Sequence, residues 1–310
     1  PAGFLVAALN HILQKNSSAS GQITDDYYAG DLLSDADRKF MQKEMFYGFD
    51  FDASMLRVAS MNMMLHGIEN PNIFYQDAFS QNFYERNPKQ AKSYFDVILA
   101  NPPFKGSLDY DDVSSDLLSK VRTKKTEVLA VPFFLRLLKS GGRVGIIVPA
   151  GILSTENEAY KQARKLLVED NQLDAVITMP SGVFKPYAGV ATAVLLFAKG
   201  GNTDKVWFYE MENCGFSLDD KQTPIDDNDI PEVIEFYKDK RESKKSFNVS
   251  KEELVAQDYS LLPSKYKEVE YKPRVFEHTP QEYVQMIIES EKKSLAILEK
   301  LQKMLEVKHG

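Results

Sequence analysis

The run Phe95-Asp96-Val97-Ile98-Leu99-Ala100 stops on Asn101-Pro102-Pro103-Phe104, and no other stretch restricts the fold as much. A short apolar run bounded by loop signals reads as a buried strand. The two prolines that end it have no N–H to give a ladder and force an extended, rigid turn. In an open α/β sheet, ligands bind in the crevice beyond the carboxyl ends of the strands. A rigid polar turn there, with one amide and one aromatic ring, is suited to gripping a flat base. The side-chain oxygen of Asn101 and the carbonyl of Pro102 can each accept one N–H of an exocyclic amine, and Phe104 can stack on the ring. The plainer reading is that Asn-Pro-Pro merely ends a strand; two strand-end acids described below favour the first.

Elsewhere short apolar runs alternate with helical stretches. Ala2–Leu9 reads as the opening of a helix, and residues 16–43 as a polar connection with a helix from Asp35. Met45–Asp50 is a strand ending on an acid. Asp52 is placed to cap a helix running to His66, with Met55, Leu56, Ala59, Met63 and Leu65 on its apolar side and Gly67 stopping it. Ile73–Tyr75 is a second strand, ending near Asp77. After Phe104 a loop containing Asp109–Asp112, and then Lys120, Arg122, Lys124 and Lys125, leads to a helical pattern over Thr126–Lys139, which Pro132 is expected to kink or restart. Gly141-Gly142 is expected to break that element before a buried strand at Val144–Val148. A helix over Glu156–Val168 and strands at Leu173–Met179, Ala191–Ala198 and Val206–Met211 follow. The short link between Leu173–Met179 and Ala191–Ala198 suggests an antiparallel pair. This alternation predicts an α/β fold with a mostly parallel sheet covered by helices on both faces.

Three regions are expected: a catalytic domain over 1–211, a loop-rich acidic connection over 212–278, and a tail helix over 279–310. Lys238–Lys245 reads as a solvated charged helix end. The tail opens with a capping box, Thr279 as N-cap, Pro280 at the first helical position and Glu282 reaching back. Val284, Ile287, Leu298, Leu301 and Leu305 follow at heptad spacing, interrupted by Glu291 and Ser294, as in a helix that needs a partner. One cysteine, Cys214, and four scattered histidines exclude a disulfide framework and give no metal-ligand spacing. No apolar run approaches the roughly 20 residues of a membrane span. A net charge of −7 is unlike that of a protein holding nucleic acid alone, because phosphate contacts demand a basic face. Either the chain does not bind nucleic acid, or a partner supplies most of the grip.

An acid ending the second strand of a doubly wound sheet can accept both hydroxyls of a ribose, and Asp50 has that position. Phe51 can pack on an adenine face. Asp77 can accept from an adenine amino group, with the amide of Ala78 meeting a ring nitrogen. Asp52, by contrast, reads as an ordinary helix cap.

With these residues in view, the sequence resembles the amino-methyltransferases of DNA, whose motif is Asn-Pro-Pro-Phe or Asn-Pro-Pro-Tyr. It resembles more closely the modification (M) subunit of type I restriction-modification systems. That likeness is carried by Phe49-Asp50-Phe51-Asp52 through Met61–Gly67, by Asn101–Phe104, and by Gly182-Val183-Phe184-Lys185-Pro186-Tyr187-Ala188-Gly189-Val190. It implies a Rossmann-like doubly wound mixed sheet with a C-terminal helical extension, and S-adenosylmethionine as cofactor. Asp50, Phe51, Asp77 and Ala78 would then bind its adenosine, and Gly3 would belong to the loop beneath its methionine part. Asn101, Pro102, Pro103 and Phe104 would form the catalytic motif for N6-methylation of a flipped-out adenine. Lys185 and Tyr187 would lie at the rim of the base pocket; the 184–189 loop reads equally as a glycine-punctuated connection. The implied partners are DNA, a specificity (S) subunit, a second M subunit and a restriction (R) subunit, in the cytoplasm. The resembled family reaches Ala-Gly-Phe-Leu through a strand ending Asp-Pro-x-x-Gly-x, of which only the tail Ala2-Gly3-Phe4-Leu5 is present. A truncated or partly represented subunit is therefore expected, with Pro1 in place of a threonine or belonging further upstream. Two other readings stay open: a protein-glutamine methyltransferase using the same motif, and an assembly module without activity.

Overall fold

The structure, a computed structural model, describes residues 1–24, 27–77, 79–104, 106, 108, 113–267 and 279–306. It divides into two compact units, Pro1–Tyr266 and Lys267–Gly310. The first opens with α1 (Gly3–Lys15), the short antiparallel pair β1 (Gln22–Thr24) and β2 (Tyr27–Tyr28), and α2 (Asp35–Phe40). Next come β3 (Tyr47–Asp50), α3 (Ala53–Leu65), β4 (Asn72–Tyr75), α4 (Phe83–Arg86) and β5 (Phe95–Ala100). These are followed by α5 (Ser115–Lys120), α6 (Thr126–Leu137), β6 (Leu138–Pro149), α7 (Gly151–Ser154), α8 (Glu158–Glu169), β7 (Gln172–Met179), β8 (Thr192–Ala198) and β9 (Lys205–Glu210). The hairpin β10 (Cys214–Phe216) and β11 (Pro224–Asn228), then α9 (Ile230–Tyr237), β12 (Ser246–Ser250) and α10 (Lys251–Ala256), complete the unit. The second unit is described through α11 (Pro280–Glu306).

Six strands form one mixed sheet in the order β12-β9-β7-β8-β6-β5, and β3 and β4 form a separate parallel pair. β8 lies antiparallel between β6 and β7, as the short connection predicts. Alternation along the strands places helices on both faces. Val176, Leu195, Val206 and Phe208 enter the large core shared with α6 and α8. Ala175, Ile177, Trp207 and Tyr209, one position out of phase, pack with Val233 of α9 on the other side. A third cluster, Leu9, Met41, Phe46, Met63 and Ile68, joins α1 and α3.

Several expectations are corrected. α6 is buried on every residue and runs unbroken through Pro132, because a helix apolar all round is held by the core about it. Gly141-Gly142 do not end an element but lie inside β6, where the pairing of β5 jumps from Phe95 opposite Leu138 to Val97 opposite Arg143. Gly141 has φ +77°, and a Cβ on Gly142 would meet backbone oxygens of Lys139 and Phe95 at 3.0 and 3.1 Å; the glycine pair makes a bulge. On α3, Ala59 and Met63 are buried but Met55 and Leu65 are exposed. The expected boundary at residue 211 is not where the chain divides, since β12 pairs with β9 from Ser246 to Ser250 and closes one edge of the sheet. Within the basic run, Lys240 donates to Asp174 (2.9 Å) and lies over the Tyr237 ring, so it is no freely solvated charge.

Thr279 and Glu282 do form the capping box of α11, with Glu282 Oε2 accepting from the Thr279 amide (2.6 Å). Val284, Ile287, Leu298 and Leu301 of this helix are exposed. Leu305's side chain, like Ala78 and Asp109–Asp112, lies outside the described residues.

Candidate active site

The expectation of a buried strand at the motif is also corrected. β5 is the terminal strand of its sheet, paired with β6 alone, and Val97 and Leu99 are 50% and 45% exposed. The apolar run reflects strand propensity and one covered face, not burial on both. Beyond Ala100 the turn is anchored by Pro102, which is buried, while Asn101 and Pro103 are exposed. The exposed Asn101 side chain makes no hydrogen bond among the described residues. The Phe104 ring meets the Phe184 ring edge-on, centroids 5.6 Å apart at 74°. An edge-to-face pair of this kind fixes both rings.

Phe184 belongs to the loop joining β7 and β8; the sequence places it in the stretch that carries the family likeness but assigns it no role in the site. The signal available was an aromatic residue in a glycine-punctuated loop between two strands on the sheet that carries Asn101. The loop is held closed by Ala188 N donating to Phe184 O (2.9 Å) and Lys185 N donating to Gly182 O (3.1 Å). The β10–β11 hairpin packs against it: Gln222 Nε2 donates to Val183 O (2.8 Å), and a Cβ on Gly182 would stand 2.8 Å from Leu218 O. Lys185 reaches Asp220 at 4.0 Å, a solvent-exposed pair worth little. Tyr187 is 95% exposed at the loop tip. Proximity thus joins Phe104 to the loop of Lys185 and Tyr187 through Phe184.

Asp50 and Asp77 come together at the carboxyl ends of the parallel pair. Asp50 aligns with Tyr75, and Gln76 N donates to Asp50 O (2.9 Å). Asp50 Oδ1 accepts from the Asp52 amide (2.9 Å), leaving its other oxygen without a partner among the described residues. Asp52 Oδ1 accepts from Ser54 N (2.7 Å) and Met55 N (3.2 Å), the helix cap expected of it. Phe51 is 68% exposed. Asp77 is exposed too, with Oδ1 accepting from Phe79 N (3.0 Å). The buried Gln76, unmarked in the sequence reading, fixes this turn by donating to Asp77 O (2.8 Å) and Asn82 Oδ1 (2.9 Å). Gly3 starts α1 with open space around it, since a Cβ there would meet nothing within 4 Å.

The parallel pair faces β5 through aromatic side chains. Tyr47 and Tyr94 share a hydrogen bond between hydroxyls (2.9 Å), and the Tyr47 and Phe95 rings lie 5.6 Å apart. Burial, then the Tyr94 contact, pushes the Tyr47 hydroxyl up to about 12. No contact among the described residues joins the side chains of Asp50 or Asp77 to Asn101. A cavity of about 470 Å³ lined by Asp174, Trp207, Lys240 and Asn248 sits by β7, β9 and the edge strand β12 and includes none of the candidate site residues. Among the described residues, no group of His, Cys, Asp or Glu could hold a metal ion.

An α/β fold with acids at the ends of the separate β3–β4 pair and an Asn-Pro-Pro-Phe turn at the end of β5, the edge strand of the mixed sheet, is the arrangement the structure presents. The chain belongs to the N-6 DNA methylase family, whose model matches residues 2–273. It is similar to the type I restriction enzyme EcoEI methylase subunit of Escherichia coli, 27% identical over 267 residues covering 84% of this chain and 50% of that protein. A solved chain from work on complex assembly and conformational transition of the type I R-M system is 27% identical at TM-score 0.67, covering 98% of this chain and 60% of that one. The type I methyltransferase subunit from Streptococcus thermophilus superposes at TM-score 0.61 with 27% identity, over 77% of this chain and 52% of that one. The chain spans about half the length of the curated relatives it matches.

Proposed function

We propose that this chain is the catalytic part of a type I modification subunit that methylates N6 of adenine in DNA. The observation that carries the reading is the free Asn101 amide at the end of β5, fixed by Pro102 and Pro103 and followed by the Phe104–Phe184 aromatic corner. S-adenosylmethionine, when bound, supplies an electrophilic methyl group on a sulfonium. The unpaired oxygen of Asp50, the open ring of Phe51 and the exposed carboxylate of Asp77 fit its adenosine part, and the amide of Ala78 and the start of α1 at Gly3 are assigned to the same site.

The adenine amine is a weak nucleophile because its lone pair is delocalised into the ring. Asn101 Oδ1 and the Pro102 carbonyl would accept its two N–H bonds and favour a pyramidal nitrogen with an available lone pair. Positioning and electrostatics then supply most of the acceleration. No strong base is needed before transfer, since the methylated amine sheds its proton readily. The base must leave the duplex to reach the turn; Phe104 stacks on it, Phe184 holds Phe104, and Lys185 and Tyr187 line the rim.

A net charge of −7 leaves most phosphate contacts to other chains. A specificity subunit, with a second M subunit and a restriction subunit in the full assembly, fits that need, and α11 with its exposed Val284, Ile287, Leu298 and Leu301 is the docking surface. No helix among the described residues is long and apolar enough to cross a membrane, and a cytoplasmic complex is the setting proposed. The test is transfer from labelled S-adenosylmethionine to DNA, with and without the specificity subunit. N6-methyladenine formed with that subunit present is expected. Transfer to a protein glutamine instead, or assembly without any transfer, overturns the reading.

A further inference from the structure

Gln76 directly follows β4, where the chain leaves the parallel pair. It is only 1% exposed, although its side chain is a polar amide. A buried amide is costly unless its donors and acceptor are bonded, and this one is. Nε2 donates to Asp77 O (2.8 Å) and to Asn82 Oδ1 (2.9 Å), which uses both of its hydrogens. Oε1 accepts from Asn87 Nδ2 (3.2 Å). The main-chain N–H of the same residue donates to Asp50 O (2.9 Å). One buried residue thus bonds directly to the main chain of both strand-end acids.

Its side-chain partners flank α4, a helix of four residues, with Asn82 before it and Asn87 after it. Asn87 N donates to Phe83 O (2.9 Å) and closes that turn. Phe83 is fully buried, and its ring meets the Phe49 ring with centroids 5.2 Å apart at 62°. Phe49 immediately precedes Asp50 on β3. α4 therefore holds the end of β4 through two side-chain amides and the end of β3 through one ring. The carboxylates themselves keep solvent access, each anchored by one amide, Asp52 N for Asp50 and Phe79 N for Asp77.

We propose that Gln76 is a positioning residue for the adenosine part of the cofactor, holding Asp50 and Asp77 at one separation through their main chains. The inference rests on the cofactor reading of those two acids and deepens it. Ribose and adenine are joined by a single bond, so the hydroxyls offered to Asp50 and the amine offered to Asp77 lie within a limited range of distances. Two acceptors serve both ends of such a ligand best when their spacing is set before it arrives, because no ordering cost is then left for binding.

The test measures S-adenosylmethionine binding to the full chain by calorimetric titration, alongside urea unfolding. The variants are Gln76→Met, Asn87→Ala, Asp77→Ala, and each of the first two combined with Asp77→Ala. Gln76→Met keeps the length of the side chain and its main-chain bond to Asp50, and removes the bonds to Asp77, Asn82 and Asn87. It is expected to raise the Kd about 10-fold, the worth of one well-made hydrogen bond, with a smaller rise in Asn87→Ala. In the Asp77→Ala background the same change should weaken binding by about 2-fold or less, because a residue acting through Asp77 has nothing left to position. A purely structural role lowers the urea midpoint without this non-additivity. An unchanged Kd in Gln76→Met overturns the proposal, as does an equal loss with and without Asp77. If the unaltered chain binds no S-adenosylmethionine, the cofactor reading itself fails and the proposal falls with it. Should Gln76→Met not fold, Asn87→Ala decides: a weaker Kd that disappears in the Asp77→Ala background sustains the proposal, and an unchanged Kd overturns it.

Discussion

At the β12 side of the sheet, Trp207 and Tyr209 are fully buried, Trp207 Nε1 donates to Arg241 O (3.0 Å) and Tyr209 OH donates to Glu232 Oε1 (2.7 Å). Tyr237 and Lys240 both hydrogen-bond the Asp174 carboxylate. At the β5 side, Val97 and Leu99 are half exposed, and Asn101, Asp77 and Phe51 offer polar or apolar surface that little in the chain engages. The first region is closed by packing and hydrogen bonds, although Asn248 Oδ1 stays without a partner among the described residues; at the second, Asn101 and Asp77 face solvent with few bonds to the chain. Exposed polar groups that the chain does not engage can exchange water for a ligand without breaking bonds within the fold.

The contrast is sharpest in what single truncations should do. Trp207→Ala removes a fully buried indole and its hydrogen bond, and is expected to cost about 3–5 kcal/mol of unfolding free energy, read from the urea midpoint. Asn101→Ala is expected to leave that midpoint and cofactor binding unchanged while lowering methyl transfer on the order of 10²–10³-fold, the range for removal of a preorganised hydrogen-bonding group. A stability loss in Asn101→Ala comparable to that of Trp207→Ala breaks the comparison, and retained turnover breaks the mechanism.

Leu99→Ala tests the exposed edge itself. Its side chain packs toward Gly145, where an added Cβ would meet Leu99 Cδ2 at 3.2 Å, yet nearly half of the residue faces solvent. The expected cost is about 1 kcal/mol, below the 2–5 kcal/mol usual for a buried leucine. A cost in the upper range by urea titration means that the edge is as constrained as the core.

Much of this division was legible in the sequence wherever a local rule decides the structure. Asp52 and Thr279 announce their helices because a capping side chain acts within three residues of itself. The antiparallel β7–β8 pair follows from a connection too short for a crossover. What could not be read depends on distant contacts. An apolar strand such as Phe95–Ala100 looks the same at an edge as in the middle of a sheet. Gly141-Gly142 reads as a breaker, although pairing with β5 and β8 holds it as a bulge. β12 was hidden because Ser246–Ser250 alternates over too few residues and follows a basic run, so its strand character comes from pairing with β9. Phe184 stands in a stretch the sequence marks, but its contact with Phe104 depends on how two distant loops meet.

The smallest expected effect is a pH dependence on the well-packed side. Asp229 Oδ2 accepts from the amides of Glu212 (2.8 Å) and Asn213 (3.1 Å), and its Oδ1 accepts from Lys245 Nζ (2.9 Å). Burial pushes its carboxyl up, but the Lys245 hydrogen bond and the two amides outweigh burial and hold it below the ordinary value of 3.8. Lys245, which also pairs with Glu212, is held above its own ordinary value, first by the Asp229 bond, and so stays charged across the acid range. A carboxyl depressed on folding binds its proton more weakly in the folded than in the unfolded chain. Stability from Asp229 is therefore fully present above the ordinary carboxylate range and is lost as the pH falls through the folded value. The gap in unfolding free energy between the unaltered chain and Asp229→Asn should be widest near about pH 6 and should narrow toward about pH 3. A gap that stays constant over that window means that Asp229 contributes as a neutral acceptor for the 212–213 turn, and that the charge of Lys245 plays no part in closing this side of the molecule.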